Sequence, residues 1–198
     1  MAKRPIITGA TGRKASKTKV RIASYTDVDR LVLLVNGTYR GESGSRGWTT
    51  EAEFISGQRV DREMVAELLN APNSFIFVVD DESHAETSII GCIHTRVDSK
   101  KSEDVRAHFG LLTVSVEWQN QGVGDQLLAS AETFVRERFS ANEMSMFVIS
   151  IRYSLIAWYV RRGYKLIGDK VPFPYGQPRF GIPLREDLEF VVMSKQLL

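Results

Sequence analysis

A turn with two glycines, set between a strand pattern and a helix pattern, constrains the fold of this chain more than any other feature. Apolar residues recur along a half-buried strand that reaches Val116. The turn follows as Gln119-x-x-Gly122-x-Gly124. Apolar residues then recur at helical spacing on one face, at Val123, Leu127, Leu128, Ala131 and Val135. The chain therefore passes from a strand through a tight turn directly into an amphipathic helix.

Such a turn is suited to binding an anion. Gly122 and Gly124 lack the side chains that would keep an anion away from the backbone. The first N–H groups of the helix have no partner within it, and they lie at the positive end of the helix dipole. A strand, a glycine turn and a helix N-terminus together form a site for a pyrophosphate group.

Two common phosphate-binding motifs do not match this turn. A Walker loop requires Gly-Lys-Ser/Thr after the last glycine, whereas Asp125 and Gln126 follow Gly124 here. A dinucleotide-binding fold requires three glycines at Gly-x-Gly-x-x-Gly spacing, and only two are present. A turn without a ligand, placed before a core helix, is the remaining alternative.

The turn closely resembles the acyl-CoA-binding motif of the GNAT superfamily of N-acetyltransferases, Gln/Arg-x-x-Gly-x-Gly/Ala at a strand-to-helix junction. A second segment, Leu155-Ile-Ala-Trp-Tyr159-Val-Arg-Arg-Gly163-Tyr164, is similar to the family's Ala-x-x-Leu-Tyr-x-x-x-Gly-Phe. The order of strand and helix patterns agrees over residues 19–198. The resemblance implies a mixed α/β GNAT fold, with a central, mostly antiparallel twisted sheet of about seven strands flanked by about four helices.

Composition is consistent with one domain preceded by a basic tail. The chain has 198 residues, 43% hydrophobic and 25% charged, which are ordinary globular values. Residues 1–19 hold six basic side chains and no acid, which leaves 20 basic against 24 acidic residues in the rest. We expect residues 1–18 to be a disordered tail and residues 19–198 to be the acetyltransferase domain. A mildly acidic body does not indicate a nucleic-acid partner.

No pattern in the sequence indicates a metal site or a membrane segment. Cys92 is the only cysteine, which excludes an intrachain disulfide and metal sites built on cysteine pairs. The three histidines show no metal-ligand spacing, so we expect no metal. No apolar run reaches the length of a membrane span. We therefore expect no membrane partner and a cytoplasmic location, with access to the nucleus left open.

The resemblance implies acetyl-CoA as the co-substrate and assigns residues to it. The strand end at residues 114–116 would pair with the pantetheine arm, and the N–H of Val114 would donate to the oxyanion. The amides of residues 121–126 would hold the pyrophosphate. Arg152 replaces an Asn that often touches CoA in the family, so that contact is either lost or exchanged for a charged one to a phosphate or the substrate. The residues assigned to CoA are Val114, Ser115, Val116, Gln119, Gln121, Gly122, Val123, Gly124, Asp125, Gln126 and Arg152.

Two residues are candidates for proton transfer. Tyr159 occupies the family position of the general acid, and a phenol with a pKa of about 10 can protonate a thiolate whose conjugate acid has a pKa of about 8.5. Packing against pantetheine is the alternative role. His108 falls where some relatives have a catalytic Glu, and strand alternation predicts that it shares a side with Leu112 and Val114. Glu117 and a chain of water molecules are the other candidates for the base.

The acceptor is expected to be a small-molecule primary amine, bound by loops. These are the loop with Tyr39, Arg40, Glu42, Arg46 and Trp48, and a proline-rich loop over residues 172–183. A protein or peptide acceptor, and a catalytically silent CoA-binding module, are the alternative functions. A homodimer is left open as well.

Local patterns also predict element boundaries near these loops. Thr26 is expected to cap the first helix and Asp61 the second. The run over residues 49–55 suggests a short helix between them.

Overall fold

The computed structural model describes residues 19–41, 47–81, 88–98 and 105–197. Residues 1–18, Glu42 and Arg46, on which some sequence predictions fall, lie outside the described residues. The elements follow in the order β1 (Val20–Ile22), α1 (Val28–Tyr39), β2 (Ile55–Ser56), α2 (Arg62–Asn70), β3 (Ser74–Asp81), β4 (Ser88–Asp98), β5 (Arg106–Val114), α3 (Val123–Phe139), β6 (Glu143–Ile149), α4 (Tyr153–Val160), β7 (Lys165–Pro172), β8 (Ile182–Pro183) and β9 (Glu189–Gln196).

Seven of the strands form one sheet in the order β1-β3-β4-β5-β6-β9-β7. All neighbours in it are antiparallel except β5 and β6, which run parallel. The short strands β2 and β8 form a separate antiparallel pair. The predicted mixed α/β fold, with about seven strands and about four helices, is therefore confirmed in the described residues.

The two faces of the sheet carry separate hydrophobic clusters. Helices α1 and α2 pack on one face around Ile76 and Val78. Helix α3 and residues of α4 pack on the other around Phe109 and Met146. Gly91 of β4 allows α3 to approach the sheet, because a Cβ there would lie 2.9 Å from Leu127 Cδ1. None of the helices in the described ranges is both long and apolar enough to cross a membrane.

The parallel strands β5 and β6 diverge after a short contact. Their pairing extends from Arg106 opposite Glu143 to His108 opposite Ser145, and the rest of both strands is not paired with the other. Each strand keeps its second neighbour, β4 or β9, so the sheet opens along one line only. A gap in the middle of a sheet leaves strand edges available to a bound chain.

A β-bulge in β5 reverses the side on which its last residues lie. His94 pairs with Gly110 and Cys92 pairs with Thr113, so two residues of β5 stand opposite one of β4. Leu111 has a φ of +50° there. Because of the extra residue, Leu112 and Val114 pack with the α3 cluster. His108, before the bulge, lies on the opposite face of the sheet, where it lines a cavity with Arg40 and Arg59, so the predicted common face of His108, Leu112 and Val114 is wrong.

Candidate active site

A cleft of about 240 Å³ opens where the N-terminus of α3 meets the end of β5 and the side of α4. Its walls include Trp48, Trp118 and Trp158, together with the polar residues Thr49, Asn120 and Arg162. Six of the residues assigned from the sequence line this cleft together: Val114, Gln119, Gly122, Gly124, Asp125 and Tyr159.

The first turn of α3 presents free hydrogen-bond donors to the cleft. Gly122 precedes the helix with a φ of +83°, and glycine has no side chain that could cap the helix. Among the described residues, the N–H groups of Val123, Gly124 and Asp125 therefore have no recorded acceptor. The N–H of Gln126 donates to the Gly122 carbonyl at 3.0 Å and already belongs to the helix. Three adjacent donors at a positive helix end form an anion site.

The end of β5 offers a backbone edge beside these donors. Ser115 N–H donates to Ile90 O at 2.8 Å, and Val114 is paired with Gly91. In an antiparallel ladder this pattern turns the N–H and C=O of Val114 away from β4 and toward the gap beside β6. The Gln119 side chain donates to the Val114 carbonyl at 3.1 Å and to Thr49 Oγ1 at 3.2 Å. Gln119 therefore braces the strand end, and within the described residues the N–H of Val114 has no acceptor.

Asp125 in the first turn of α3 is balanced by Arg162. The Arg162 guanidinium donates to the Asp125 carboxylate and, at 2.9 Å, to the Trp158 carbonyl. It also lies 3.4 Å above the centre of the Trp158 ring. A carboxylate beside an anion site would repel the anion, and the adjacent guanidinium offsets that repulsion. Sequence analysis missed this role of Arg162, because the contact spans 37 residues.

Tyr159 is buried between the cleft and the interior, with 5% of its surface exposed. Its ring packs against Trp158, Phe109 and Tyr164, with centroids 4.9, 5.8 and 5.9 Å away. Burial raises the pKa of the Tyr159 hydroxyl above its ordinary value. The hydroxyl is therefore protonated at neutral pH, as a general acid must be.

A narrow passage of about 80 Å³ lies at the divergence of β5 and β6. It shares Leu112 and Tyr159 with the cleft. It shares Glu51 and Gly110 with a further cavity of about 280 Å³ on the side of α1 and α2. The Tyr39 hydroxyl donates to the Leu112 carbonyl at 2.9 Å and holds the bulge in place. The passage joins this further cavity to the cleft. We call it the acceptor cavity, after the amine acceptor that the sequence resemblance implies.

A buried ion-pair network, which sequence analysis missed, lies between the passage and the acceptor cavity. The Glu51 carboxylate accepts from Arg40 Nη1 at 2.6 Å and from Arg152 Nη1 at 3.2 Å. Burial alone would raise the pKa of Glu51, but the positive charges of Arg59, Arg40 and Arg152 lower it. Arg152 is thus turned toward Glu51 and lines the passage rather than the cleft. No local spacing signals this network.

His108 lines the acceptor cavity, not the cleft that contains Tyr159. Its Nδ1 lies 3.4 Å from Ser145 Oγ, and its ring contacts Phe147 with centroids 4.8 Å apart. Burial lowers the pKa of His108, although Asp98 opposes this, so the ring is neutral at neutral pH. Glu117, the alternative base, is exposed and does not line the cleft, the passage or the acceptor cavity.

The other residues assigned to CoA lie beside the cleft without lining it. Val123 is buried in the core, and the Gln121 side chain donates to the Glu117 carbonyl at 2.7 Å. Ser115 and Val116 form the turn that follows β5. No group of three or more His, Cys, Asp or Glu side chains that could hold a metal ion occurs within the described ranges.

A mostly antiparallel sheet that opens between two parallel strands, beside an uncapped helix N-terminus, agrees with the acyltransferase fold that the sequence resemblance implied. A family model for the acetyltransferase (GNAT) domain matches residues 37–173. The chain belongs to the GNAT family and is an acyl-CoA N-acyltransferase. This family uses acetyl-CoA.

Solved structures of N-acetyltransferases share the fold at low sequence identity. Arabidopsis thaliana NAA60 in complex with acetyl-CoA is 13% identical, with a TM-score of 0.68 over 91% of this chain and 99% of that one. The Escherichia coli ribosomal-protein-S18-alanine N-acetyltransferase is 13% identical, with a TM-score of 0.62 over 91% and 94%. A provisionally assigned phosphinothricin N-acetyltransferase is 14% identical, with a TM-score of 0.65 over 92% and 99%. No curated protein sequence matches the chain significantly.

Proposed function

We propose that the protein transfers the acetyl group of acetyl-CoA directly to the primary amine of a small molecule. The observation that carries this proposal is the row of N–H groups at Val123, Gly124 and Asp125, which have no acceptor in the described part of the chain and lie next to the divergence of β5 and β6. These amides would bind the diphosphate of CoA, and the free edge at Val114 would bind its pantetheine arm. The thioester would then enter the passage between the strands.

The reaction forms one bond and breaks one. The amine nitrogen forms a C–N bond with the thioester carbonyl carbon, the C–S bond breaks, and CoA leaves as its thiol. The N–H of Val114 would donate to the oxyanion, and Tyr159 would give its proton to the sulfur. His108, on the opposite side of β5, would take the amine proton directly or through water. Tyr159 would then act from the passage and His108 from the adjoining acceptor cavity.

The acceptor cavity favours a small amine over an extended peptide. Phe173, Pro174 and Phe180, from the segment between the last two long strands, form part of its wall. Phe190 of β9 and Phe147 of β6 line it as well. A concave, mostly apolar cavity of this kind suits a compact ligand. Among the structural relatives, the Escherichia coli enzyme is named for a protein substrate and another for phosphinothricin, so fold alone does not decide between them.

Substitutions at Gly124 test the binding of CoA. A Cβ at this position would lie 3.5 Å from Trp158 Cζ2 and 3.7 Å from Val114 Cγ2, which are ordinary contacts. Gly124→Ala should therefore fold and bind acetyl-CoA, whereas Gly124→Glu places a carboxylate where the diphosphate belongs. Acetyl-CoA at a concentration of 100 times its Kd should raise the free energy of unfolding of the wild type and of Gly124→Ala by about 2.7 kcal/mol. The same concentration should leave the free energy of unfolding of Gly124→Glu unchanged. Thermal unfolding with and without acetyl-CoA measures this, and unchanged CoA affinity in Gly124→Glu would contradict the proposal.

Release of CoA thiol in the presence of amines tests the transfer itself. Acetyl-CoA is incubated with small primary amines and, separately, with peptides that have free N-termini, and the acetylated product is identified by mass spectrometry. The proposal predicts amine-dependent thiol release with small amines. CoA binding without acetylation of any amine would instead indicate a silent CoA-binding module.

A further inference from the structure

Positive charge exceeds negative charge around the acceptor cavity. Arg40, Arg59 and Glu51 line it, and Arg152 reaches Glu51 from the adjoining passage. Three guanidinium groups therefore surround a single carboxylate among the described residues. Both oxygens of that carboxylate are already used, one by Arg40 and one by Arg152. Uncompensated charge in a buried site is costly unless a ligand of opposite charge completes it.

Arg40 contributes a buried donor that nothing satisfies. Its side chain is 6% exposed, and its Nη1 is held by Glu51. Its Nε has no hydrogen-bond partner in the part of the chain that the structure describes. Burial lowers the pKa of Arg40 even though Glu51 opposes the change, so the pair does not fully compensate the guanidinium. A buried N–H without a partner is rare in folded proteins, so the protein leaves the positive charge of Arg40 incompletely compensated.

Arg59 is the second cation available to a ligand. Its backbone N–H donates to Asn36 Oδ1 at 2.7 Å, which anchors the residue beside the cavity. Its guanidinium lies 5.8 Å from the centre of the Tyr39 ring and makes no recorded hydrogen bond within the described ranges. A guanidinium presents a planar array of donors that matches a carboxylate.

Apart from His108, the remaining walls of the acceptor cavity are apolar. They include the rings of Phe109, Phe147, Phe173, Phe180 and Phe190, with Ile55 and Ile149. Gly110 lies between these rings and the passage and belongs to both. A ligand that fills the cavity therefore meets positive charge next to the passage, because Arg59 lines both, and aromatic surface along its body.

We propose that the acceptor amine carries a carboxylate and an apolar body, as an amino acid with an apolar side chain does. The carboxylate binds the Arg59 guanidinium beside the positive charge of Arg40, the side chain packs against the phenylalanine rings, and the amine points toward the passage. This assignment rests on the proposed function, because it names the substrate class of the same transfer.

Binding of reaction products tests the assignment without catalysis. With CoA present, N-acetylphenylalanine and N-acetylleucine should bind at least about tenfold more tightly than their carboxamides, because only the acids pair with the guanidinium. Arg59→Gln should reduce the affinity of the acids to that of the carboxamides, and Arg59→Lys should restore part of it. Arg185→Gln removes an exposed arginine paired with Asp187 and should change nothing. Isothermal titration calorimetry measures all of these affinities.

Equal affinity for acids and carboxamides in the wild type would overturn the assignment, as would acid binding that survives Arg59→Gln. Initial rates separate this failure from failure of the proposed function. Phenylalanine should have a kcat/KM at least about tenfold above those of phenylalaninamide and phenethylamine. Acetylation of all three at equal kcat/KM would overturn the carboxylate requirement and leave the transferase activity standing. Acetylation of no amine would overturn both.

Discussion

Tyr159 shows how far a single residue can be assigned from sequence. Its place in the second family-like segment predicted a position beside the CoA thiol, and the structure places its ring at the junction of cleft and passage. Glu51 and Arg162 had no such signal, because each acts through partners that are distant in sequence. Gly122 and Gly124 were recognisable because the turn that they form is local.

Tyr159→Phe should slow acetyl transfer without weakening the binding of acetyl-CoA. The phenyl ring keeps the packing against Trp158, Phe109 and Tyr164, whereas the proton donor is lost. We expect kcat to fall by roughly 10² or more, with little change in Tm or in the Kd for acetyl-CoA. Steady-state kinetics and calorimetry measure the two effects separately. A kcat equal to that of the wild type would leave Tyr159 with a packing role only.

At the scale of elements, capping was predictable at one helix and not at another. Asp61 caps α2, where its Oδ1 accepts from the Met64 N–H at 2.7 Å, so the predicted cap is confirmed. The predicted cap at Thr26 is wrong. Ser24 and Asp27 instead form a capping box of a 3₁₀ turn before α1, because Arg21 of β1 holds the Asp27 carboxylate at 2.8 Å. The short helix expected over residues 49–55 is also wrong, since turns lead there into β2.

Asp61→Ala should lower the free energy of unfolding by about 1 kcal/mol, the usual cost of removing an N-cap acceptor. Asp61→Asn retains an oxygen acceptor and should cost only a few tenths of a kcal/mol, although it removes the charge near Arg179. Urea denaturation of both variants separates the cap from the ion pair. Equal destabilisation by Ala and Asn would show that the charge, rather than the cap, stabilises α2.

At the scale of the whole molecule, burial of His94 couples stability to pH. Burial, with smaller effects from His108 and Arg96, lowers its pKa from 6.5 to about 4. Its Nε2 lies 2.9 Å from Ser74 Oγ, and a neutral imidazole can make this hydrogen bond. The unfolded chain therefore binds a proton between these two pH values that the folded chain does not. Protonation favours unfolding, so stability falls as pH decreases from about 6.5 to about 4.

His94→Gln should flatten this pH dependence. In the wild type the His94 contribution should reduce the free energy of unfolding by up to about 3 kcal/mol across that interval, and the variant should lose this part of the slope. Urea denaturation at a series of pH values measures the slope. Burial also lowers the pKa of His108, so His108 contributes to the pH dependence of stability as well. His108→Gln is therefore the control that measures this second contribution. An unchanged slope in His94→Gln would contradict the buried neutral histidine.

The sequence alone determined the order of the long strands and helices, the glycine turn before α3 and the segment that contains Tyr159. These features depend on neighbours within a few residues, and local spacing records them directly. Tertiary structure alone decided the bulge that places Leu112 and Val114 on the face opposite His108, and the ion pairs around Glu51. Arg152 and Glu51 are separated by 101 residues, and strand pairing and burial bring them together. Contacts at such separations depend on how the sheet is assembled, which no local pattern specifies.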